Sequence, residues 1–63
     1  MLIKDFLKRL HYAKNLNYST RKYECESEYT KIQYQSLLEE YGDKEVVYWS
    51  MDRFNEVCIV YKE

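Results

Sequence analysis

The chain has no proline and a single glycine, Gly42. That excludes a flexible linker or a low-complexity tract, and its 46% hydrophobic content is that of a chain that packs a core. Histidine is equally scarce, with His11 alone. The two cysteines, Cys25 and Cys58, are too few for a secreted disulfide framework. They also lack the close paired spacings of structural zinc. No run of about 18 apolar residues occurs, which rules out a membrane-spanning helix and leaves no expectation of a membrane partner. Met1 to Leu10 is interrupted by charge every few residues and has no apolar signal-peptide centre. The expectation is a cytoplasmic protein whose two thiols are reduced, buried small hydrophobes.

What the chain does have is an uneven charge distribution. Residues 1–22 hold six Lys/Arg and one acid, Asp5, a local charge of +5. Residues 23–63 hold four Lys/Arg and ten Asp/Glu, a local charge of −6. The net value of −1 conceals this split, which bears on partners because local fields steer association. Eight tyrosines add broad apolar area with polar tips, suited to a small core or to a contact surface. Sixty-three residues make one domain, 1–63, with a core too small to spare for a deep catalytic site. A binder is therefore expected and an enzyme is not, and no cofactor is implied.

Periodicity predicts the elements. Leu2, Ile3, Phe6, Leu7, Leu10 and Ala13 recur at helical spacing over residues 2–14, with Asn15 as a left-handed terminator. Residues 18–26 alternate as a strand, with Tyr23 and Cys25 on one face and Lys22, Glu24 and Glu26 on the other. Residues 30–41 read as a second helix. Thr30 and Gln33 match a capping box, Tyr29 and Tyr34 a hydrophobic staple, and Gly42 a left-handed stop. A rival reading pairs two strands within Tyr23 to Gln35. Residues 45–51 and 56–62 are rich in β-branched and aromatic side chains and form two strands. Asp52 to Asn55 joins them as a hairpin loop, with Asn55 at positive φ. The expected fold is α+β: a three-stranded, mostly antiparallel sheet with a C-terminal hairpin, packed by the two helices. Its expected core is Phe6, Leu7, Leu10, Leu37, Leu38, Val47, Trp49, Val57 and Ile59.

Candidate sites come from side-chain chemistry. His11 sits at the edge of the first helix's apolar face, without the acid and nucleophile that a catalytic role needs. His11, Cys25 and Cys58 do not make a metal trio, because none has a close-spaced partner. Glu24, Glu26 and Glu28 recur at period two, which on a strand is either an edge-protecting face or an acidic docking strip. With Glu39, Glu40, Asp43 and Glu45 the strip would imitate phosphates, although the modest net charge counts against that. Lys4, Lys8, Arg9, Lys14, Arg21 and Lys22 form a basic set that reads as a solvated helix face or as contacts to nucleic-acid phosphates. Tyr48 and Trp49 are adjacent on a strand and must face opposite ways. Phe54 stands at a hairpin tip, a place usually held by small polar residues, and so either folds back or forms an exposed anchor.

The leading expectation is a small protein-interaction module that inhibits or modulates a larger protein by occluding a site, with nucleic-acid-handling proteins among the candidate targets. Tyr48, Trp49 and Phe54 would anchor it and Glu24, Glu26 and Glu28 would steer it. Compact chains of this composition are commonly virus- or plasmid-encoded modulators. A nucleic-acid binder using the basic N-terminal helix is the alternative, and a homodimer closing an exposed sheet edge is the third reading.

Overall fold

A computed structural model of the protein describes residues 1–10, 13–25 and 28–63. His11, Tyr12, Glu26 and Ser27 lie outside the described residues, and with them the placements expected for His11 and Glu26.

The elements are α1 (Ile3–Arg9), a 3-10 turn (Ala13–Asn15), β1 (Asn17–Lys22), β2 (Thr30–Ile32), α2 (Tyr34–Tyr41), β3 (Glu45–Met51) and β4 (Glu56–Lys62). The class is α+β, but the sheet has four strands in the order β2-β1-β4-β3, not three. Its outer pairs, β1–β2 and β3–β4, are antiparallel. The central pair, β1–β4, is parallel and runs in register from Asn17 opposite Glu56 to Lys22 opposite Tyr61.

Pairing parity sorts the side chains. Tyr18, Thr20, Val57, Ile59 and Trp49 share one face; Ser19, Arg21, Cys58, Val60 and Tyr48 share the other. Both helices cover the first face, where Ile3, Phe6 and Leu7 of α1 and Leu37 of α2 join Tyr18, Val57 and Ile59 in one buried cluster. Tyr34 opens α2 against the Tyr18 ring at 6.0 Å, and Tyr41 closes it against Tyr61 at 5.1 Å.

Several expectations are corrected. α1 ends at Arg9, since Leu10 takes extended backbone, and the shortened helix lets β1 start beside the hairpin, with Asn17 N–H donating to the Asn55 carbonyl at 3.3 Å. Asn15 lies in the 3-10 turn and is not left-handed. β1 stops at Lys22 instead of running to residue 26, and Glu24 turns the chain at φ 68°. Thr30 does not cap a helix. It begins β2 opposite Thr20, and α2 starts behind Gln33, which makes no side-chain cap bond. Ladder bonds to β1 and the packing of Ile32 outweigh a cap that is typically worth about 1 kcal/mol. Gly42 is right-handed, at φ −56°. Its requirement is space, because a Cβ there would run into the Leu38 carbonyl, and the Gly42 carbonyl receives Lys4 N–H at 3.0 Å.

The core contains Phe6, Leu7, Leu37, Val57 and Ile59 as expected, with Leu10 and Leu38 packed at its margin. Trp49 is 46% exposed because β3 is an edge strand. Val47 falls at a bulge, where the β3–β4 register shifts. Ile3, Tyr18 and Val60 complete the buried hydrophobic set, and Ser19 and Thr20 are buried beside them.

Tyr18 supplies a pH signature. Burial, then the neighbouring Tyr34, raises its hydroxyl pKa from 10.0 to about 12. Between those values the folded chain keeps a proton that the unfolded chain has lost, so this stabilisation is complete below pH 10 and disappears as pH rises through 12. Denaturant titrations from pH 9 upward should show stability falling, and Tyr18→Phe should flatten that fall by roughly 1–3 kcal/mol. Burial also raises the Tyr29 and Tyr61 pKa values, so a residual slope should remain. An alkaline slope unchanged by Tyr18→Phe would contradict the assignment.

Candidate interaction surface

The β3–β4 hairpin forms as expected, and its turn is built around Asp52. Asp52 Oδ1 accepts from Phe54 N–H at 2.8 Å and from Glu56 N–H at 3.0 Å. The Asp52 carbonyl accepts from Asn55 N–H at 3.2 Å, and Asp52 N–H donates to the Glu56 carbonyl at 3.0 Å. Asn55 takes φ 60°, the left-handed position expected of it. One carboxylate thus satisfies two loop amides that would otherwise face water and braces the turn. At its apex Phe54 is 70% exposed, with the Arg53 guanidinium 5.1 Å over the ring. Beside it a groove of about 490 Å³ opens between the tip and the β2–α2 junction. Tyr18 and Ile32 provide apolar lining, and Lys31, Asp52 and Glu56 contribute charge.

Tyr48 and Trp49 do face opposite ways. Trp49 lies on the helix side, 5.1 Å from the Phe6 ring, and remains half exposed. Tyr48 lies on the other face, where its hydroxyl accepts from the Arg21 guanidinium at 3.0 Å. The same guanidinium sits 5.0 Å over the Tyr29 ring. Tyr29, Arg21 and Tyr48 therefore form a strap across the sheet, and it explains how Val60 is buried on a face that no helix covers. Below it, Ser19 Oγ donates to Cys58 Sγ at 3.3 Å.

The acidic row does not join the aromatics. β1 runs from the hairpin end of the sheet to the far end, so Glu24, just beyond Lys22, is separated from Phe54 by the whole strand, about 20 Å at 3.3 Å per residue. Glu28 precedes Thr30, which pairs with Thr20, and also lies away from the tip. Both are exposed, and neither is in a strand. The carboxylates nearest Phe54 are Asp52 and Glu56.

The basic set is divided between paired and open side chains. Lys4 Nζ is 3.0 Å from Asp43, whose hydrogen bond and charge raise the lysine's pKa. Lys22 Nζ lies 3.9 Å from Glu63. Arg21 is committed to the strap, and its Nε is buried without a partner among the described residues. Lys8, Arg9 and Lys14 are exposed. Of the two cysteines, Cys58 is half-buried but Cys25 is exposed, correcting the expected pair of buried thiols, because the chain leaves the sheet at Lys22. Among the described residues no group of three His, Cys, Asp or Glu side chains is arranged to hold a metal, and no helix is long and apolar enough to cross a membrane.

Sequence reasoning missed the roles of Asp52, Arg21 and Tyr29. For Asp52 a signal existed: Asp at the first position of a four-residue turn is a known loop brace. No family model, curated protein or solved structure matches the chain.

Removing the Asp52 brace should loosen the tip. Asp52→Ala is expected to lower stability by about 1–2 kcal/mol in urea titrations and to speed amide exchange at Phe54 and Glu56. Asp52→Asn, which keeps an acceptor oxygen, should recover at least half of the loss. Equal effects of the two substitutions would show that the carboxylate does not brace the turn.

Proposed function

We propose that the protein is a protein-interaction module that docks on a larger protein through the hairpin tip and modulates that target by occluding a site. The observation that carries this reading is Phe54, a large aromatic held in the open at the apex of a braced turn. A fixed aromatic loses little conformational freedom on binding, which is the property of an interface anchor. Of the three expected anchors, Tyr48 is tied to Arg21 and Trp49 leans on Phe6, so Phe54 is the one most available for insertion into a partner pocket. The adjoining groove offers the partner a place for a side chain of its own. Steering by Glu24 and Glu28 has no part in this reading, since both lie at the opposite end of the sheet. Lys4, Arg21 and Lys22 already have partners in Asp43, Tyr48 and Glu63, which favours a protein target over nucleic acid, whose backbone requires several available cations.

The test is an affinity capture from lysate of the native source, treated with nuclease and washed at low and high salt. Wild-type chain and Phe54→Ala should be run side by side. A stoichiometric protein should be retained by the wild type, and the substitution should weaken its binding about 30-fold or more in a follow-up titration. The melting temperature of Phe54→Ala should stay within about 4 °C of wild type, as for an exposed residue. Unchanged affinity together with a large loss of thermal stability would make Phe54 a structural residue. Captured material that disappears with nuclease would make nucleic acid the partner.

A further inference from the structure

The two edges of the sheet differ. β2 is three residues long and carries Lys31, whereas β3 is seven residues long and has no charge from Val46 to Met51. Natural edge strands are usually guarded by lysine, proline or brevity. Part of the β3 edge is already taken: Leu2 bridges Glu45 in antiparallel fashion, and Val46 N–H donates to the Met1 carbonyl at 2.8 Å. From Val47 to Met51, nothing among the described residues pairs with the outer edge. Along it Tyr48 is 49% exposed and Met51 44% exposed, with Trp49 between them.

We infer that this stretch is closed by a second copy of the chain, its β3 paired antiparallel about a two-fold axis at Trp49. Symmetry restricts the register. A two-fold axis perpendicular to the sheet leaves every side chain on its own face, and directly opposed residues share a face. The axis must therefore pass through a residue that faces itself. Centring on Tyr48 would require the copy to occupy the Val46 edge, which Met1 holds. Centring on Ser50 would oppose Tyr48 to Asp52, which is bound into the turn. Centring on Trp49 pairs the whole free stretch, with Trp49 opposite Trp49, Tyr48 opposite Ser50 and Val47 opposite Met51. No like charges meet, and the flanks are complementary, because Glu45 precedes the stretch and Arg53 follows it, so antiparallel pairing brings opposite signs together. The product is one continuous sheet of two four-stranded halves, with a pair of tryptophans at its centre on the helix side. The Phe54 rings lie outside the paired stretch, and Arg53, which flanks it, is shared with the tip through its position over the Phe54 ring.

Sedimentation equilibrium on the full chain tests it. Wild type is expected at twice the 7.8 kDa chain mass. Trp49→Lys alone and Trp49→Glu alone should each weaken association at least about 10-fold by placing like charges face to face, and an equimolar mixture should restore it as a heterodimer. A wild-type monomer at concentrations up to about 1 mM would overturn the inference. So would single variants that dimerise like wild type, or a mixture no better than its components. If circular dichroism shows either variant unfolded, isotope-filtered NMR on mixed labelled and unlabelled wild type takes its place. Intermolecular contacts between Tyr48 and Ser50 are then expected, and a dimer lacking them would refute this register.

Discussion

The structure depends on the parallel pairing of β1 with β4. These strands are joined through β2, α2 and β3, so the pair closes only when most of the chain is in place. Loop-closure entropy must be overcome before such a contact is gained, and the compensation is burial. Tyr18, Val57 and Ile59 meet the helices on one face, while Ser19 and Val60 are shut from solvent on the other. Among the described residues, no other strand pair is buried on both sides.

The remaining features of the fold are consequences of that pair. β2 and β3 can only be edges, and α2 must pass from one edge of the sheet to the other, across the face that α1 also occupies. The opposite face has no helix left for it, and the Tyr29–Arg21–Tyr48 strap covers it with side chains alone. The hairpin tip is positioned by the same register. Asn17 enters β1 against Asn55, so the base of the turn is tied to the central pair while its apex projects beyond the sheet. A hydrogen-bonded base beneath an exposed Phe54 is the feature from which the docking proposal is argued. The long β3 edge, uncharged from Val46 to Met51, is a second consequence of the same topology.

The parts of the fold that were legible in sequence are those whose signals are local. β3, β4, their loop and the positive φ of Asn55 were readable because two apolar runs flank a polar turn. Phe54 stood out because an aromatic at a tip breaks turn chemistry, and of the two readings it is the exposed one that the structure shows. The β1–β4 pairing was not readable, since nothing near Asn17–Lys22 says which of two distant strands it joins. At Thr30 two local signals competed, a capping box and a strand alternation, and non-local pairing with β1 decided for the strand. The common strand face expected of the acidic row is absent for a related reason. Its common face presupposed a strand through residue 26, whereas β1 ends at Lys22 and Glu24 turns the chain at φ 68°. Gly42 was correctly marked as special, but for a conformation it does not adopt.

Residue-resolved amide hydrogen exchange under native conditions tests the primacy of the central pair most directly. The slowest amides should belong to β1 and β4, around Ser19 to Arg21 and Cys58 to Val60, exchanging only by global unfolding, with β2 and the outer half of β3 opening at lower free energy. Strong protection confined to the β3–β4 hairpin, with β1 exchanging as fast as the loops, would show that the parallel pair does not hold the fold together.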